Sequence, residues 1–169
     1  MTISMYQASA PIFTQLLNSL SAILSKAEAQ AASNAIDATT LLQASLFPDM
    51  LNLTRQVQIA TDFAKGVCAR LAGIEVPTYE DNETSFQDLQ TRVAKTLLFL
   101  STLTPAMVDG TETREIVLRP GTAKEKKLTG QAYLLHYGLP QFFFHVTTAY
   151  DILRHNGIEI GKRDYMGTF

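Results

Sequence analysis

Apolar residues recur at steps of three and four along four long stretches of this chain, and that period limits its fold more than any other feature. Met50, Leu53, Val57, Ala60, Ala64, Val67 and Leu71 mark one face of a helix over about 48–72. Ile12, Leu16, Leu20, Ile23 and Ala27 do the same within 4–31. Phe86, Leu89, Val93, Leu97 and Leu100 define a third helix over 85–103. Phe144, Val146, Ala149, Ile152 and Leu153 belong to a fourth over 130–156. A helix with one apolar stripe must bury it against its neighbours, so four such helices predict a bundle.

The boundaries follow from capping chemistry. Pro11 suits the start of the first helix, where a missing N–H costs least. Pro48 and Asp49 suit the first turn of the second, and Gly73 its end. The short piece Thr39 to Ala44 connects the first helix to Pro48, and the stretch Glu75 to Asn82 reads as a loop broken by Pro77. Thr84-Ser85-Phe86-Gln87 fits a capping box for the third helix, which Pro105 closes. Thr129 can cap the fourth, Asn156-Gly157 ends it, and Pro140 inside it predicts a kink or a restart. Between helices three and four the period changes. The β-rich run Arg114 to Arg119, the Pro120-Gly121 turn and Lys124 to Leu128 predict a hairpin over 114–128. The expected fold is all-α: a four-helix bundle, its helices antiparallel, in a single domain over 1–169, with a small β-hairpin inserted before the last long helix. In the tail, Ile158, Ile160, Tyr165 and Phe169 can pack on the bundle.

Charge removes several function classes. Fourteen Lys and Arg face sixteen Asp and Glu, so no strong field draws in nucleic acid or an anionic membrane. The run Lys124-Glu125-Lys126-Lys127 is short and mixed, as a solvated turn would be. Phe142-Phe143-Phe144 cannot form one base-stacking platform, because successive helical residues point about 100° apart. Leu16 to Leu24 is interrupted by Asn18, Ser19 and Ser21, too polar for a membrane span. The opening Met1-Thr2-Ile3-Ser4 carries no export signal, which leads to the expectation of a cytoplasmic protein. Cys68 is the one cysteine and lies in an apolar run with no base nearby, so it reads as a buried, inert thiol.

No strong catalytic motif is present: no P-loop, no GxGxxG after a strand, no CxxC, no HExxH, no GxSxG. The three histidines, His136, His145 and His155, are too far apart along one helix to form a cluster. His155 suits a helix C-terminus and His136 a surface position. His145 differs. Gln141 precedes it by four residues and Thr148 follows by three, so the three share a face beside the apolar stripe. They read either as buried polar groups that satisfy one another or as the wall of a small ligand or metal pocket.

The stretch Leu139-Pro140-Gln141 through His145-Val-Thr-Thr-Ala-Tyr150 to Leu153-Arg154-His155-Asn156-Gly157 resembles a branch of the DinB-like superfamily. Phe47-Pro48-Asp49-Met50, Gln56-Val57 and Ile160 to Tyr165 carry the same resemblance. It implies an up-down-down-up bundle, often dimeric. It also implies, in many relatives, a divalent metal held by one His on helix two and an HxxxH pair on the last long helix, with thiol-dependent transferase or isomerase activity in some. Counted back from Leu153-Arg154, His145 takes the place of the second His and Gln141 that of the first, and Gln56 is the candidate on helix two. One imidazole with two amides makes a poor transition-metal site. The expectation is therefore a homodimeric bundle with no metal cofactor and a small-ligand pocket at Gln56, Gln141 and His145. The alternatives are an enzyme using a divalent metal such as zinc or nickel, with further ligands from Asp49, Asp62 or a His of a tail or partner chain, and a purely structural dimer.

Overall fold

The computed structural model describes residues 3–169. The elements are α1 (Ala10–Ser33), α2 (Ala38–Gln43), α3 (Leu53–Ala72), α4 (Phe86–Ser101), α5 (Pro105–Val108), β1 (Glu115–Leu118), β2 (Lys126–Thr129), α6 (Gly130–Tyr133), a π-helical turn (Leu134–Gly138), α7 (Leu139–His155) and α8 (Lys162–Met166). Helices α1, α3, α4 and α7 form the bundle, with α3 packed most extensively on α7. No helix among the described residues is long and apolar enough to cross a membrane.

Side-chain pairs fix the helix directions. Phe13 meets Phe142 edge to face at 4.8 Å, and the Gln30 side chain accepts from the Glu159 N–H at 2.8 Å, so α1 and α7 run the same way. Gln58 reaches Glu83 and Thr61 reaches Arg92, so α3 and α4 also run the same way. Asp109 accepts from the Tyr6 N–H and Ser21 meets Gln90, so α1 and α4 are opposed. The order is up-down-down-up. The wholly antiparallel arrangement expected from short connections is thus corrected. The stretch 73–85 is long enough to return along the bundle and start α4 beside the start of α3.

The stripes form the core. Leu53, Val57, Ala60, Ala64, Val67 and Leu71 are fully buried, as are Leu20, Ile23, Ala27, Leu89 and Val93. On α7 the inward phase is Phe142, Val146, Ala149 and Leu153, whereas Phe144, expected inside, is 55% exposed. Two residues along a helix is about 200° of rotation, so Phe142 and Phe144 cannot both face the core.

Several boundaries move. Helix α3 starts at Asn52, whose side chain accepts from the Arg55 N–H, and not at Pro48, which lies in a turn closed by Met50 N–H to Phe47 C=O. The capping box of α4 joins Ser85 and Asp88, one residue later than expected, and Asp88 also takes the Thr84 N–H. Pro105 ends nothing: it opens the short helix α5, where its fixed φ suits the first turn. Thr129 caps α6 through the Ala132 N–H. The hairpin pairs Glu115 with Thr129 and Leu118 with Lys126. In the tail, Ile158 and Ile160 are buried, α8 rests on α1, and Phe169 is 93% exposed and not packed.

The interruption at Pro140 is the π turn. Proline cannot donate to the carbonyl four residues back, and its ring crowds that carbonyl. The wider turn, with Leu139 N–H bonded to Leu134 C=O, relieves the conflict without breaking the helix. Gly138 lets this turn approach α3, since a Cβ there would come within 2.6 Å of Val67 Cγ2.

The stretch 73–85 is held by Arg92 of α4, which is buried. Its guanidinium donates to Glu83 at 2.8 Å, Asp62 at 2.8 Å, the Thr61 hydroxyl at 2.7 Å and the Glu80 carbonyl at 3.0 Å. Asp81 lies 3.0 Å away, and Tyr79 receives Lys65, Lys95 and Arg92 over its ring. This is a fully partnered buried charge.

Candidate functional site

Helix α3 and the helix running from α6 into α7 face each other and carry the polar side chains that matter. Gln56 is 1% exposed and His145 8% exposed. The Gln56 amide nitrogen donates to the Leu51 carbonyl at 3.0 Å, which turns its oxygen toward His145 Nδ1 at 2.7 Å. Nδ1 therefore carries the proton and donates, and Nε2 keeps its lone pair. The imidazole stacks on Phe63 (5.9 Å between centroids, 15° between planes) and receives Phe144 at 90°. Burial lowers the His145 pKa below its usual value, so the ring is neutral at pH 7.

Gln141 does not join them. It is half-buried, and among the described residues no hydrogen bond links it to Gln56 or His145. Both ends of the Gln56 amide already have partners, and Gln141 lies one turn nearer Tyr137. The expected convergence of three residues is thus a pair plus a separate amide.

The metal implied by the resemblance can be tested against this donor set. A zinc or nickel site needs several imidazole, thiolate or carboxylate ligands. Here Nδ1 of the one imidazole is bonded to Gln56. Asp62 takes Arg92 at 2.8 Å and Lys65 at 2.9 Å, and Asp49 is exposed on its turn. Among the described residues no three His, Cys, Asp or Glu side chains are grouped to hold a metal ion. The residues present do not fit the group.

A cleft of about 210 Å³ shares Phe63 with the His145 stack. It is lined by Asp62, Phe63 and Arg70 of α3, Leu118 and Arg119 of the hairpin, and Tyr133 and Tyr137. Phe63 meets Tyr137 at 5.8 Å, and Tyr137 stacks on Tyr133 at 5.9 Å. Arg70 Nη1 donates to the Gly66 carbonyl at 3.1 Å and to the Tyr133 hydroxyl at 3.2 Å. Burial raises the Tyr133 pKa, so its hydroxyl stays protonated. The missed signal was a stripe at spacing four: Tyr133, Tyr137, Gln141 and His145. The hairpin's contribution to the cleft had no signal in the sequence.

The fold and these facing residues define a DinB-like helical bundle. A crystal structure of a DinB family member from Shewanella denitrificans is similar over 97% of this chain and 92% of that one, with 40% identity and a TM-score of 0.91. The model of the family described as a domain of unknown function, DUF1993, matches residues 5–166, and the chain belongs to that family. A comparison with curated proteins finds no match.

Proposed function

We propose that this protein binds a small organic ligand, without a tightly held transition metal, where the Gln56–His145 pair adjoins the aromatic cleft. The observation that carries this reading is that Phe63 both stacks on His145 and meets Tyr137 edge to face in the cleft. A concave site with aromatic walls and a few polar groups is the usual form of a small-molecule site. The neutral imidazole, held by Gln56, supports a hydrogen-bonding role for His145 rather than a ligating one. The competing reading, a metal-dependent transferase or isomerase, needs donors that Gln56 and Gln141 do not supply. A fragment screen by thermal shift on chelator-treated protein tests the proposal. Hits should persist after chelation and disappear in Tyr137→Ala. Hits that require added zinc or nickel would contradict it.

The same proposal includes pairing of two copies. Leu135, Phe143 and Phe144 stand exposed on the helix that carries His145, and such apolar surface supports a homodimer. Light scattering at tens of micromolar should give twice the chain mass, and a monomer mass would contradict this part.

A further inference from the structure

Two arginines line the cleft, and among the described residues neither forms an ion pair with a carboxylate. Arg70 is half-buried, and its Nη1 is anchored by the Gly66 carbonyl and the Tyr133 hydroxyl. A Cβ at position 66 would come within 2.7 Å of that nitrogen, so glycine there lets the guanidinium lie back along α3. Arg119 sits at φ 51°, a left-handed conformation that costs a side-chain-bearing residue free energy. It is held there by its carbonyl, which accepts from the Thr122 N–H at 3.3 Å and the Thr122 hydroxyl at 2.9 Å. Glycine would adopt this conformation freely, yet the chain places at this position a cation that lines the cleft. The one acid in the lining, Asp62, already takes Lys65 and Arg92 and offers little negative charge to a ligand.

We infer that the cleft takes a small, flat monoanion of the aromatic carboxylate class, with its ring against Phe63 and Tyr137 and its carboxylate toward Arg70 and Arg119. The inference rests on the proposed ligand-binding function and adds the charge and shape of the ligand. Guanidinium groups pair with planar carboxylates through two parallel hydrogen bonds. Cavities of about 150 Å³ admit benzene, so about 210 Å³ suits one ring with one substituent.

The test uses the full chain, treated with chelator, and three probes of one shape: benzoate, benzamide and benzylamine. Calorimetry or NMR titration should show benzoate binding at least about tenfold tighter than benzamide, with benzylamine weakest. Arg119→Gly should weaken benzoate about tenfold while leaving the melting temperature unchanged or higher, because it relieves the left-handed backbone. Arg70→Lys, which keeps the charge and loses the fork, should also weaken benzoate. Equal binding of benzoate and benzamide, benzoate affinity unchanged in Arg119→Gly, or no binding of any probe would overturn the inference. Neutral or cationic hits from the fragment screen that vanish in Tyr137→Ala would leave the proposed function standing while the anionic ligand falls.

Discussion

Gln56 of α3 and His145 of α7, 89 positions apart in sequence, are joined by a 2.7 Å hydrogen bond inside the bundle. Each partner is nearly inaccessible to water, so each depends on the other. The pair occupies the positions at which the DinB resemblance puts metal ligands.

Removing one partner should cost more than removing both. His145→Ala leaves the Gln56 oxygen without a donor and should destabilise the fold by about 1–3 kcal/mol in urea unfolding. The double change to Gln56→Leu and His145→Leu should recover much of that loss, because the imidazole and the amide oxygen go together and only the part-buried Leu51 carbonyl loses its donor. Strictly additive single-site effects would show that the bond contributes nothing.

His145 should also give the fold a pH dependence of known sign. Its pKa is lowered in the folded state, so the unfolded chain binds the proton more readily. The stability it contributes is present above the unfolded pKa and is lost as pH falls toward the lowered folded value. Between about pH 7.5 and 5.5 the melting temperature should fall more in the wild type than in His145→Gln. Parallel curves for the two proteins would contradict this assignment.

Arg92 organises the other polar centre, and its loss should be severe. Arg92→Met removes the cationic partner of Glu83, whose side chain is 8% exposed, and the bond to the Glu80 carbonyl, and so loosens the stretch 73–85 on α4. The expected cost is about 3–5 kcal/mol. Proteolysis should then begin within that stretch. A loss below about 1 kcal/mol, as for an exposed pair, would show that the network is slack.

The helices were legible because local rules set them: Leu53 to Leu71 keeps one phase for five turns, and the α4 cap, expected at Thr84 and found at Ser85, is placed to within one residue by its own neighbours. Sequence pattern and structure diverge where two local signals compete. A proline suits a turn, a helix start or the residue after a helix end, so residue type alone does not separate Pro48, which lies in a turn ahead of α3, from Pro105, which opens α5. Phe142 and Phe144 are equally apolar, so only the phase of Val146 and Leu153 tells which is buried. The Gln56–His145 contact was reachable because both residues flank predicted stripes. The aromatic cleft was not, since it needs the hairpin's Leu118 and Arg119 set against α3 and the π turn, a relation that no local period encodes.

The central claim is that His145 is held by an amide and not by a metal. Elemental analysis of the protein, purified without chelator and without added metal, tests it most directly. Zinc, nickel and iron should lie far below stoichiometric amounts, with no change in metal content on His145→Ala. Metal near one equivalent per chain, released by His145→Ala, would contradict it.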